Sequence, residues 1–308
     1  MNAVTDLLSA TTLGDPVISG SMFMLPVYSS AASISEPLTL DEAIGSKVLS
    51  IDETSAAGAV PELALTNRSS RTVFLLDGEQ VIGVKQNRTF NLSMLLPAES
   101  NTVVPVSCLE SGRWDMRKGA ARSAEHVHFA TGRANKLRSV TASLSEVGSY
   151  RSDQGRVWSD IEAKFSRADR MSPTAAESEY FEQRRDDLEP HLQAFNPQAA
   201  QCGAIIGIGK QIVGVDLFAT AQLYHRVGMK LLKSYLLDAL ESTTAADPVS
   251  KAAAAEHVAQ MFAGRAEQYP APGLGETHRW SAPAGSAAAL IVAGRCVHAV
   301  AFSEAEYP

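Results

Sequence analysis

The sequence predicts an α+β fold with mainly antiparallel pairing. Three observations carry this. The first ~110 residues alternate apolar and polar positions between turn signals, as strands do. The middle carries apolar residues at helical spacing. The last third returns to glycine-turned hairpins separated by two helical stretches. Strands, helices, strands, helices and strands in that order argue for α+β and against a parallel α/β fold. At roughly 100–200 residues per domain, the 308 residues read as one large domain over 1–308. A subdivision into a β-rich 1–115 and a helical 116–308 with two hairpins is compatible with the same pattern.

In chain order, Thr72 to Leu76 reads as a strand, and Asp77-Gly78 as a two-residue type I′ turn. Gln80 to Lys85 then returns. Thr89 to Leu96 and Thr102 to Leu109 are expected to pair as a hairpin around residues 97–101. A helix is expected from Met116 to about Leu144. Ser152-Asp153 looks like the cap of the next, on which Gln154, Trp158, Ile161 and Phe165 share a face. Pro173 opens a charged helix that ends near Pro190. Residues 203–208 and 211–215 form a hairpin turned at Gly209-Lys210. A long helix follows from Leu217 to Leu240, with Asp216 as its N-cap. Its apolar stripe is wide enough to be buried on more than one side. A helix over 248–267 and a hairpin around Gly294-Arg295 complete the chain.

Composition excludes several classes. There are 27 Lys+Arg against 34 Asp+Glu, a formal charge of −7, and 45% of residues are hydrophobic. Such a chain can build a core, which excludes disorder. An acidic chain without a basic block predicts neither nucleic acid nor an anionic membrane surface as partner. No run approaches the ~18 apolar residues of a membrane span. The start has no basic n-region and no long apolar core, so the expected location is the cytoplasm. Three cysteines, Cys108, Cys202 and Cys296, lie far apart and outside any CxxC, which argues against structural zinc and a disulfide framework. His126 and His128, at i and i+2 of the expected helix, point to different sides and make a weak metal pair. No metal is expected, and no cofactor is indicated.

Several nucleotide motifs fail on inspection. Ala204 stands where a P-loop needs glycine, and Gln211 where it needs Ser or Thr. Ile212 replaces the third glycine of a dinucleotide fingerprint. The densest polar cluster lies between residues 77 and 114. On a regular strand Gln86 and Arg88 begin the face that Phe90, Leu92 and Met94 bury. A buried arginine needs carboxylate partners, since an unpaired buried charge costs on the order of 3–5 kcal/mol. Glu79 and Glu110 are the nearest acids by topology. The alternatives are a ligand pocket at the strand ends, a buried ion pair fixing register, and a loop over 86–88 that faces water. The crowding of multidentate side chains beside apolar strands favours the pocket. There Glu79 and Glu110 would serve as general acid and base. Arg88 and Arg113 would grip phosphate or carboxylate, and Trp114 would offer a flat wall. Trp114 as a core plug, Gln154 as the mere end of an apolar stripe, and Cys108 as an inert buried thiol are the competing structural readings.

The same stretches carry a family resemblance. LDGEQVIGVKQNRTFNLSML, VPVSCLESGRW, DQGRVW, IVGVDLF and GLGETHRW…GRCVHAVAF are similar, in that order, to the ADP-ribosylglycohydrolase- and rhodanese-phosphatase-associated protein domain. The resemblance runs from about Val17 to Phe302. It implies an α+β domain of the bacterial cytoplasm acting in ADP-ribose or NAD metabolism, with a small nucleotide-type ligand. Position by position it points to Gly78, Glu79, Gln86, Asn87, Arg88, Glu110, Gly112, Arg113, Trp114, Gln154 and Trp158. An enzyme, a non-catalytic ligand-binding module and a structural oligomer subunit remain the three function classes.

Overall fold

The turn at residues 76–79 shows how local chemistry sets the strand ends. The Glu79 N–H donates to the Leu76 carbonyl at 3.0 Å, and Gly78 sits at φ +87°. Asp77 keeps a negative φ, so one residue rather than two takes the left-handed region. The turn is therefore not of the expected type I′ kind. The flanking strands also part company. Val73–Leu75 pairs with Met94–Leu96, whereas Glu79–Ile82 pairs with Arg88–Phe90.

The computed structural model describes residues 3–30, 35–54, 61–111, 121–172 and 174–304. The fold is α+β, and its sheets are antiparallel except for one short parallel pair, Leu38–Thr39 with Val73–Leu75. The chain forms two compact units, Met1–Glu36 with Asp186–Ala271 and Gly275–Pro308, and Pro37–Arg185 with Pro272–Leu274.

The first unit is built on one large sheet. Its spatial order is Thr11–Leu13, Met22–Ser29, Gln201–Ile208, Gln211–Phe218, Arg295–Ser303, Gly285–Val292, Glu276–Ala282 and Glu267–Pro270, with Val17–Ser19 also pairing Met22–Ser29. Both hairpins read from the sequence lie in it, and their second strands pair with each other. Side chains alternate across a strand. Val215 and Leu217 therefore join the core under helices Ala3–Ser9 and Lys251–Met261. Asp216 faces the other side, toward helix Ala221–Ala239, where the Tyr235 hydroxyl donates to it at 2.7 Å. That helix buries Leu223, Tyr224, Val227, Leu231, Leu232 and Tyr235, two adjoining stripes as its sequence pattern requires.

One expectation is corrected here. Asp216 does not cap the long helix. The strand continues to Phe218 and the helix begins at Ala221. Thr220 is the N-cap, its Oγ1 accepting the Leu223 N–H at 3.1 Å. Asp216 sits within the strand because Tyr235 and His298 satisfy its carboxylate from both sides.

The second unit holds two sheets. One runs Met94–Leu96, Val73–Leu75, Leu38–Thr39, and the other runs Arg122–Val127, Glu79–Ile82, Arg88–Phe90, Ser100–Cys108, Glu62–Asn67, Leu49–Glu53. A core of Leu63, Leu65, Val73, Leu75, Val81, Phe90, Val104 and Val106 is shared between them. The expected hairpin of 89–96 with 102–109 survives at its open end, where Arg88–Phe90 pairs with Val106–Cys108. The rest of the first strand leaves for the smaller sheet. The helix expected from residue 116 is corrected too. Arg122–Val127 is a strand, and the helix runs Ala130–Val147; residues 116–120 lie outside the described ones. Asp153 caps the next helix as expected, accepting the Arg156 N–H at 3.0 Å. Among the described residues, no helix is long and apolar enough to cross a membrane.

Candidate functional site

Strand register sorts the polar residues of the second unit onto two faces of its larger sheet. Val81, Arg88 and Cys108 lie opposite one another across three strands, and so do Gln80, Thr89 and Ser107. Residues directly opposite in an antiparallel pair point the same way. The Arg88 row and the Gln80 row therefore face opposite sides.

On the first face, Arg88 is fully buried. Its Nη2 approaches Glu53 at 3.4 Å and 3.5 Å, its Nη1 donates to the Cys108 sulfur, and its Nε has no hydrogen-bond partner. The expected carboxylate partners, Glu79 or Glu110, are thus replaced by Glu53. That residue ends the edge strand Leu49–Glu53, two strands beyond the hairpin. Sequence could not show this, because period 2 gives a residue's face but not which distant strand lies alongside. Glu110 is nevertheless next to Arg88, its Oε2 accepting the Asn87 N–H at 2.8 Å. Gln86 donates to the Glu110 carbonyl at 3.2 Å, and Asn87 donates to the Ser178 hydroxyl at 3.0 Å. Gln154 closes the end of the strand. Its amide accepts the Cys108 N–H and donates to the Cys108 carbonyl, both at 2.8 Å.

The structure therefore brings Gln86, Asn87, Arg88, Glu110 and Gln154 together around Cys108. Glu79 is placed apart. It lies two residues along its strand from the Val81–Arg88 pairing, and its carboxylate accepts the Leu76 N–H at 2.9 Å. Trp158 is half-buried one helical turn beyond Gln154, its indole N–H without a hydrogen-bond partner. Gly112, Arg113 and Trp114 lie outside the described residues.

Burial pushes the Cys108 thiol pKa up, against the opposing pull of Arg88, while Glu53 and Glu110 push the same way as burial. A thiol with a raised pKa is a poor nucleophile, so the inert-thiol reading fits this site better than a catalytic cysteine.

The opposite face carries charges that sequence reasoning did not single out. Asp77 meets Lys136 at 2.9 Å and Arg133 at 3.3 Å, all three deeply buried. Lys136 also donates to the Phe90 carbonyl. Burial lowers the Lys136 pKa, and Asp77 opposes that shift. Glu177 gathers three donors, namely the Phe129 N–H at 3.0 Å, His128 Nδ1 at 2.8 Å and the Gln80 amide at 3.1 Å. His126 is not on a helix. It ends up stacked on Phe181, with ring centroids 3.8 Å apart. The available signal was that Arg133 and Lys136, at i and i+3, share a helix face with Leu137, Val140 and Leu144.

An α+β chain whose second unit ends its strands in a buried Arg–Glu–Gln cluster is the class that fold and geometry define. The match to a family model is wider than the cluster. Residues 10–302 fit the ARPP-1 domain, the ARG and Rhodanese-Phosphatase-superfamily-associated Protein domain, and the chain belongs to that family. No curated protein and no solved structure matches the chain. The family's name records association with ADP-ribosylglycohydrolase and rhodanese–phosphatase proteins.

Proposed function

We propose that the Arg88 cluster binds the phosphate or carboxylate of a nucleotide-type ligand related to ADP-ribose or NAD, and that the protein is a bacterial cytoplasmic enzyme acting on it. The observation that carries this is the state of Arg88. A buried guanidinium offers five donors in a fixed fork, yet this one has a single carboxylate at 3.4–3.5 Å and an Nε with no partner. An anion reaching that fork would gain charge-assisted bonds that Glu53 supplies only loosely. Gln86, Asn87 and Gln154 surround the position, and Arg113, Trp114 and Trp158 would complete its walls. Glu110 is the better acid–base group by position, since it bonds the Asn87 N–H next to Arg88 whereas Glu79 bonds the Leu76 N–H at the turn. The family's association with ADP-ribose-processing proteins supports the choice of ligand.

A specific observation favours a second reading, a non-catalytic sensor of the same ligand. Both candidate acids already accept backbone N–H groups, which suits a fixed binding wall as well as proton transfer.

Calorimetric titration with ADP-ribose, NAD, AMP and inorganic phosphate tests the site. Product analysis of the same mixtures separates enzyme from sensor. Arg88→Lys keeps the charge but loses the fork, so affinity falls about tenfold or more, at ~1.4 kcal/mol per decade. Glu53→Gln removes the competing carboxylate from a partly exposed position, so affinity rises. A Glu53→Gln protein that binds no tighter, or an unaltered chain that ignores all four compounds, defeats the assignment. Turnover that disappears in Glu110→Gln with binding retained selects the enzyme. Binding without turnover selects the sensor.

A further inference from the structure

An anion that takes the Arg88 fork takes it from Glu53. Register brings the two residues to one place. Glu53, Leu63 and Val104 lie opposite one another across three strands. On the last of these strands Val106 and Cys108 share the Val104 face, and they stand opposite Phe90 and Arg88. Glu53 and Arg88 therefore project to the same side of the sheet, beside the apolar core of Leu63, Val104, Val106 and Phe90.

Three features bear on what happens when they part. The pair is loose. One nitrogen, Nη2, faces both Glu53 oxygens at 3.4 Å and 3.5 Å, against ~2.7–2.9 Å for a charge-assisted bond. Glu53 ends an edge strand with one neighbour, so its side chain can shift without another strand following. The local balance is negative. Among the described residues, the charges acting on the adjoining Cys108 thiol are Arg88 against two carboxylates, Glu53 and Glu110.

A bare anion on Arg88 would strip Glu53 of its cation and set a second negative charge beside it, with the Glu53 side chain only 13% exposed. Removing one partner of a largely buried pair is strongly unfavourable. A ligand that brings its own cation avoids this. It exchanges one loose ion pair for two, its anion on Arg88 and its cation on Glu53.

We propose that the Arg88–Glu53 pair selects a zwitterionic nucleotide, one whose phosphate or carboxylate lies close to a fixed positive charge on the base, as in an N-glycosidic pyridinium. This rests on the assignment of Arg88 as an anion site and narrows its ligand class, since nucleotides with an uncharged base bind less tightly. The rise in affinity expected of Glu53→Gln then belongs to anions that carry no cation.

The two redox forms of nicotinamide mononucleotide isolate the charge. They share the ribose and the phosphate, and only the oxidised ring is a cation. Calorimetric titration of the full chain should show the oxidised form binding about tenfold tighter or more. In Glu53→Gln that preference should shrink to within about twofold, through weaker binding of the oxidised form and tighter binding of the reduced one. Inorganic phosphate is titrated beside them. Equal affinity for the two forms in the unaltered chain overturns the charge selection and leaves the anion site standing. A preference that survives intact in Glu53→Gln overturns the role given to Glu53. A chain that binds neither form nor phosphate ends both assignments together.

Discussion

His128 shows what one missing side chain permits. Its Nδ1 is held by Glu177 at 2.8 Å, and the Nε2 edge of its ring meets Gly132 in the first turn of helix Ala130–Val147. A Cβ on Gly132 would stand 2.2 Å from His128 Nε2. That is far inside contact distance, with both partners fully buried. Glycine is thus demanded at 132 by close approach, although it weakens a helix by ~1 kcal/mol relative to alanine. Gly132→Ala should reverse the usual sign of that substitution and destabilise by roughly 1–3 kcal/mol through overpacking, as measured by urea unfolding. His128→Ala in the same chain empties the contested space, so the two changes should be strongly non-additive. Additive costs would show that the ring moves aside. The same interior explains why Glu177 was invisible beforehand. It opens the short helix Glu177–Gln183, where an acid looks like an ordinary first-turn residue. Its partners Gln80, His128 and Phe129 lie 48 to 97 positions away.

At the scale of elements, the sharpest lesson is the helix Ala221–Ala239. Asp216 was its expected cap, and the structure gives that duty to Thr220 and another to Asp216. Thr220 caps, so Thr220→Ala should cost about 1 kcal/mol. Asp216 instead anchors a buried pair, with Tyr235 at 2.7 Å and His298 at 3.2 Å. Asp216→Ala should cost more, roughly 3–5 kcal/mol, because it strips a buried network of its acceptor. Equal costs in thermal unfolding would return Asp216 to a capping-sized role. Hairpins turned at Gly209 and Gly294 were legible because each encodes its own partner strand a few residues away. The helix at 154–167 was legible because Asp153, Ile161 and Phe165 agree on start and face. The strand after Gly78 was legible as a strand but not in its pairing. Residues 73–75 and 79–82 look like a hairpin, yet they serve different sheets. Local pattern carries no information on that choice. The cluster at Gln86, Asn87, Arg88 and Glu110 could be read because one hairpin end assembles it. Glu53 could not, because a separate strand delivers it.

Taken over the whole chain, the buried titratable groups make stability depend on pH in the alkaline range, with two opposing signs. Burial raises Cys202 from 9.0 to about 11 and Cys296 to about 12. It also raises Cys108 and the Tyr224 phenol. For each of these the unfolded chain releases its proton first. Their stabilisation is complete below the unfolded value, 9.0 for the thiols, and is lost as pH climbs through the folded one. Lys136 runs the other way. Burial lowers it from 10.5, so below 10.5 there is a window in which the unfolded chain holds a proton that the native state has released. Stability contributed by that group rises with pH through this window. The three thiols and the phenol act together against Lys136, and their balance predicts a net fall in urea midpoint above pH 9. The variants separate the contributions. Cys202→Ala with Cys296→Ala should flatten the fall, because both thiols drop out of the balance. Lys136→Met should steepen it, because its opposing contribution is gone, and Arg133 remains at 3.3 Å to hold Asp77. Midpoints measured from pH 8 to 10.5 decide the matter. If the lysine and cysteine variants change the slope in the same direction, the burial of these groups does not control the alkaline limb.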